Sequence, residues 1–126
     1  LSSHEVADVL NRIRQPFNVN TLALTAAEVA LGDQEHIAAA VRLNAAGMHA
    51  WEAACDAMGL SYIPSVGNFI SVDVGRPADA VYEALLREGV IVRPIAAYGL
   101  PRHLRITIGT ETENMRAIAA LERVLA

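Results

Sequence analysis

The chain contains no lysine; all ten of its basic residues are arginine. No side chain here can therefore open a reaction that runs through a protein Schiff base. Arginine cannot substitute, because its delocalised guanidinium stays protonated and is a poor nucleophile. Cysteine is almost as scarce. Cys55 stands alone, which excludes an internal disulfide framework and fits a reducing, cytoplasmic setting. It falls on the apolar stripe of a helix, so it reads as a small buried hydrophobe rather than a reactive thiol. Long apolar runs are missing too: nothing approaches the roughly 18–20 residues that cross a membrane. The first residues lack the basic start and apolar run of a secretory leader. With a net charge of −4 and no basic cluster, the chain is not expected to bind nucleic acid. His4, His36, His49 and His103 are scattered, and no pair has ligand spacing on one helix face, so no metal site is expected. Glycine-rich phosphate loops, Ser–His–acid sets and close carboxylate pairs are absent as well.

What is present is a chain of 126 residues, 53% of them apolar. It is long enough for a core and is expected to form one domain over residues 1–126. Val6, Val9, Leu10 and Ile13 mark a first helix. It starts abruptly, without a cap signal, and reads as the tail of a longer helix. Pro16 ends it, and residues 14–20 read as an irregular connector. An alanine-rich helix over 21–31 stops at Gly32. Asp33 then caps the longest helix, whose stripe runs through Ile37, Val41, Ala45, Met48, Trp51, Cys55 and Met58 to Gly59.

Beyond Gly59 the period changes. Ile70, Val72 and Val74 alternate with Ser71 and Asp73, a half-buried strand. Pro77 opens a helix with Val81 and Leu85 inside, and Gly89 closes it. Val90–Arg93 reads as a second strand ended by Pro94, and Leu104–Ile108 as a third. Residues 96–103 between them read as a loop. Thr110 and Glu113 form a capping box for a last helix with Met115, Ile118, Leu121 and Leu125 as its apolar face. The expected fold is α/β, an α+β domain: a small three-stranded sheet with helices mainly on one face. The first and second strands, joined by a helix, are expected to run parallel.

Arg105 interrupts an otherwise apolar strand, on the face opposite Leu104, Ile106 and Ile108. A guanidinium on a rigid strand offers a fixed fork for a carboxylate or phosphate. The simpler alternative is a solvated residue on an exposed sheet face. Arg93 ends the preceding strand and could converge with Arg105 on one anion, or face solvent. His103 lies near Arg105, although a surface role is the simpler reading.

Four blocks occur in order: Arg14-Gln15-Pro16-Phe17-Asn18-Val19-Asn20, Pro64-Ser65-Val66-Gly67-Asn68-Phe69-Ile70, Gly89-Val90-Ile91-Val92-Arg93-Pro94 and Leu104-Arg105-Ile106-Thr107-Ile108-Gly109-Thr110. Across nearly the whole chain they resemble the C-terminal third of histidinol-phosphate aminotransferases, which are fold type I enzymes using pyridoxal phosphate. Threonine-phosphate decarboxylases share parts of the pattern. The resemblance implies the C-terminal small domain of such an enzyme, with residues 1–13 as the tail of the interdomain helix. It implies that Arg105 binds the substrate carboxylate, that Arg93 lies near the substrate phosphate, and that Asn68 lies in a strand-entry loop close to them. The implied reaction interconverts L-histidinol phosphate and 2-oxoglutarate with imidazole-acetol phosphate and L-glutamate, a step of histidine biosynthesis. The resemblance also implies a large cofactor-carrying domain as partner, a homodimer and a cytoplasmic enzyme. The Schiff-base lysine and the cofactor-binding residues would lie outside this chain, so no catalytic residue is assigned here, no covalently bound cofactor is expected, and the chain alone would be inactive. A free-standing domain that binds an anion or partner without catalysis is the alternative from another class.

Overall fold

A computed structural model describes residues 2–16 and 18–126. Phe17, in the first connector, lies outside the described residues. The chain divides into two compact units, residues 1–37 and 38–126.

The first unit holds α1 (His4–Ile13) and α2 (Thr21–Gly32). The sequence suggests no cap for α1, but Ser3 supplies one: its hydroxyl accepts from the Val6 N–H at 3.4 Å. Asn20 caps α2 in the same way, accepting from the Ala23 N–H at 2.8 Å. These caps satisfy amide donors that a helix start leaves open. Arg14 ties the connector together, donating to Asn11 Oδ1 at 2.6 Å and to Asn18 Oδ1 at 3.1 Å. Neither helix has a buried residue, and Leu22, Val29 and Leu31 are all exposed. Asp33 begins α3 (Gln34–Met58) by accepting from the His36 N–H at 3.0 Å.

The second unit is built on a sheet. Its strands are β1 (Ser61–Ile63), β2 (Phe69–Asp73), β3 (Arg93–Ile95) and β4 (Leu100–Thr107). They lie in the order β1-β2-β4-β3, and every neighbouring pair is antiparallel. The sheet thus has four strands, not three. Because β2 and β3 are each antiparallel to β4, they run in the same direction, as expected for strands joined by a helix. They are not neighbours: β4 lies between them. The expected strand over Val90–Arg93 is displaced, with pairing that begins at Arg93 and includes Pro94. Proline is tolerated there because β3 is an edge strand. The expected loop over 96–103 is a 3-10 turn, Ala96–Tyr98, then Gly99 and the start of β4.

Helices α4 (Ala78–Arg87) and α5 (Glu111–Leu125) complete the unit. Ile70 and Val72 of β2 and Leu104 and Ile106 of β4 pack with Trp51, Cys55, Val81, Leu85 and Leu121 in one core. Gly59 and Gly89 end α3 and α4 at φ +68° and +73°. In both cases the next residue's N–H reaches back to close the last turn: Leu60 to the Cys55 carbonyl and Val90 to the Leu85 carbonyl, each at 2.9 Å. Glycine suits these positions because left-handed backbone costs it little.

The α3 stripe is buried only in its second half. Met48, Trp51 and Cys55 are buried, whereas Ile37 and Val41 are exposed. On α5 the capping box forms as expected, with Glu113 Oε2 accepting from the Thr110 N–H at 2.7 Å. These bonds hold the Glu113 carboxyl below its ordinary pKa. Met115 is exposed, however, and the adjacent Asn114 is buried instead.

Candidate functional site

The face of the sheet opposite the core is built from alternate residues of β2 and β4. Arg105 faces Ser71 across one ladder and Arg93 across the other, so the three form one row over three strands. Phe69 and Thr107 form the next row, and Asp73 and His103 the row on the other side. Two guanidinium residues therefore stand directly opposite one another on adjacent strands. Like charges in that arrangement repel and destabilise the sheet. Nothing among the described residues neutralises them: neither Arg93 nor Arg105 makes an ion pair.

Arg105 is half-buried, and its Nε is buried without a hydrogen-bond partner. Among the described residues its head is met by Phe69, whose ring centre lies 5.2 Å from the guanidinium carbon. That contact is a cation–π interaction, in which the ring quadrupole attracts the cation. Arg93 is exposed. The two arginines line a surface depression of about 500 Å³ together with Tyr82, Val92, Pro94 and Thr107.

The nearest acid on this face is engaged elsewhere. Asp73 accepts from the Gly75 N–H at 2.9 Å and pairs with Arg102. The Gly75 bond, followed by Arg102, lowers its pKa despite partial desolvation. His103 is half-buried, and its Nδ1 is buried without a partner. It stays two residues along the strand from Arg105 and does not line the depression. Asn68 precedes β2, and its carbonyl accepts from the Ile108 N–H at 2.8 Å. It too stands outside the depression's lining.

Cys55 is fully buried, and burial, with smaller contributions from Asp56 and Glu52, pushes its thiol up to about 11. A thiol held so far from its thiolate form is a poor nucleophile. No group of three or more His, Cys, Asp or Glu side chains that could hold a metal gathers among the described residues. Within those residues no helix is long and apolar enough to cross a membrane.

The sequence reading missed two contributors. Phe69 stands within a sequence motif, and nothing in its strand pattern marks it as a platform for Arg105. Asn114 lies on the helix after the site and is 3% exposed. An asparagine beside a capping box is common at helix starts, so its sequence signal is weak.

The chain has known relatives. The model of the family "Aminotransferase class I and II" matches residues 1–121. Histidinol-phosphate aminotransferase 2 of Pseudomonas fluorescens is 60% identical over 126 residues, all of this chain and 34% of that protein. Histidinol-phosphate aminotransferase 1 of Nitrosococcus oceani is 55% identical over 125 residues, 99% of this chain and again 34% of the relative. The chain thus spans about a third of the length of the curated relatives it matches. Among solved structures, the histidinol-phosphate aminotransferase of Sinorhizobium meliloti in complex with pyridoxal-5'-phosphate superposes with a TM-score of 0.82 at 27% identity. The match covers 96% of this chain and 34% of that one.

Proposed function

The chain belongs to the class I and II aminotransferases, and on that premise we propose that it is the C-terminal, substrate-gripping part of a pyridoxal-phosphate-dependent transaminase. The reaction we assign to the whole enzyme is the interconversion of L-histidinol phosphate and 2-oxoglutarate with imidazole-acetol phosphate and L-glutamate. The observation that carries this reading is the cross-strand pair of arginines without an acidic partner. Such a pair is costly in the free sheet and is offset when a doubly charged oxyanion lies between the two heads.

The chemistry explains how one site serves two substrates. Glutamate presents an α-carboxylate; histidinol phosphate carries its phosphate ester from the corresponding carbon. A planar guanidinium donates two parallel N–H groups to either oxyanion. In this reading Arg105 takes the oxyanion common to both, Arg93 adds charge nearest the phosphate, and Asn68 lies close in the loop that enters β2. The ring of Phe69 supports the Arg105 head through its cation–π contact.

No side chain here carries a primary amine, so these residues do not fit covalent attachment of the cofactor's aldehyde. The lysine for that bond, and with it the bond-breaking chemistry, would belong to the remainder of the protein. We assign the chain to the small domain, with residues 1–13 as the tail of the helix that leads into it, and its partners to the large cofactor domain and a second subunit of a cytoplasmic homodimer. The exposed apolar residues of α1 and α2 supply surface for such partners. Movement of this part onto bound substrate is the gating step we expect.

The test uses the full-length enzyme. Arg105→Ala should weaken binding of both glutamate and histidinol phosphate, by about 2–4 kcal/mol each. Arg93→Ala should penalise the phosphate substrate more than glutamate. Unchanged saturation by both substrates in Arg105→Ala would reject the assignment.

A further inference from the structure

Arg105 has no ion pair and no hydrogen bond at its Nε among the described residues. Apart from the ring of Phe69, its aim is inherited from the backbone of β4. What fixes that backbone therefore fixes the clamp. The ladder between β2 and β4 stops at the Phe69–Thr107 pair, with one further bond from the Ile108 N–H to the Asn68 carbonyl. Beyond it the chain is held by a side chain. Asn114 Oδ1 accepts from the Gly109 N–H at 3.0 Å, and Asn114 Nδ2 donates to the Gly109 carbonyl, also at 3.0 Å. The same Oδ1 accepts from the Trp51 indole N–H at 3.2 Å. One buried amide thus joins α5, α3 and the exit of β4.

Its surroundings leave it little freedom. A Cβ on Gly47 of α3 would lie 2.6 Å from Asn114 Nδ2 and 2.5 Å from a methyl carbon of Ile108. One turn earlier on α3, Asn44 Nδ2 donates to the Gly67 carbonyl at 3.1 Å, just before β2. One stretch of α3 therefore backs the entry to β2 and the exit of β4, the strands that carry Phe69 and Arg105.

We propose that Asn114 is a positioning residue for Arg105, fixing the C-terminal end of β4 by holding both peptide groups of Gly109 against Trp51. The inference rests on the reading of Arg105 as the oxyanion clamp. A displacement of about 1 Å at a binding group is enough to change rates or affinities by an order of magnitude or more.

The test is made in the full-length holoenzyme, by calorimetric titration with succinate, a dicarboxylate that cannot react, and by steady-state kinetics with glutamate. Asn114→Ala should raise the succinate Kd and the glutamate KM about tenfold, with a smaller effect on kcat. Added to Arg105→Ala, it should weaken succinate binding by less than about twofold, because both changes act through one guanidinium. A residue that weakened binding by a route other than Arg105 would give additive losses, and additivity overturns the proposal. Trp51→Phe, which leaves the Gly109 contacts in place, should bind succinate more tightly than Asn114→Ala does. Should Asn114→Ala fail to fold, Asn114→Ser keeps a small polar group in the site and carries the same predictions. If Arg105→Ala weakens succinate binding and the Asn114 variants do not, the positioning role alone is overturned. If Arg105→Ala has no effect either, the clamp reading falls with it.

Discussion

The two faces of the β2–β4 ladder are built from the same strands by opposite rules. On one face Ile70, Val72, Leu104 and Ile106 are buried against helices. The one polar side chain that intrudes near it, Asn114, is satisfied by Gly109 and Trp51. On the other face two arginines oppose each other, and nitrogens of Arg105 and His103 are buried without partners. Unmet polar groups are costly in a closed protein. Among the described residues two of them, on Arg105 and His103, lie on this face, and a third, Asn44 Oδ1, lies on α3. The contrast divides satisfied from unsatisfied polar groups along one strand, residue by residue.

The sharpest way to break this contrast is through Trp51, on the satisfied face. Trp51→Ala should cost about 3–5 kcal/mol, because it opens a cavity and takes one hydrogen bond from Asn114. Urea unfolding monitored by circular dichroism would measure it; a loss below about 1 kcal/mol would mean the core does not depend on that side. Thr110→Ala removes a cap outside both faces and should cost about 1 kcal/mol in the same assay. Arg93→Gln should act in the opposite sense, raising stability by about 0.2–1 kcal/mol as a like-charge contact disappears, while phosphate-substrate binding weakens. A variant that lost both stability and binding would show that Arg93 supports the sheet.

The smallest effect is a pH dependence. Asp73 and Glu113 both have lowered pKa values in the fold, chiefly through backbone N–H bonds from Gly75 and Thr110. Their stabilising contribution is present above the ordinary carboxylate pKa and is lost as pH falls through the lowered one. Stability should therefore decline on the acid side, below about pH 4.5. Asp73→Asn with Glu113→Gln should flatten that decline; an unchanged acid limb in the double variant would assign it to other carboxylates.

Much of the helical frame is legible in the sequence because caps and stops are local. Asp33, Thr110, Glu113, Gly59 and Gly89 act within one turn of where they stand. The sheet is less so. Ser61-Tyr62-Ile63 is too short to show a period, which hid β1. Val90-Ile91-Val92 looks like a strand by composition, but the ladder starts at Arg93 because pairing follows the β4 register, with its irregularity between Pro94 and Ile95. For the same reason, alternation alone puts Arg105 on the outer face but cannot place Arg93 directly across from it. Asn114 escaped because helical spacing favoured Met115, the more hydrophobic neighbour. Of the hydrogen bonds that draw the amide inward, those with Gly109 are near in the chain, but the one from Trp51 joins distant residues and leaves no local pattern.

Pro94 has a consequence away from the opposed arginines. It sits in β3, at one open margin of the sheet, and offers no N–H to a strand arriving from another molecule. At the other margin Pro64 follows directly on Ile63, where the three-residue β1 ends. Short strands and prolines at such margins are the devices that keep sheets from growing edge to edge into aggregates. A sheet whose outer face carries the opposed Arg93 and Arg105 is thus blunted at both margins against polymerisation.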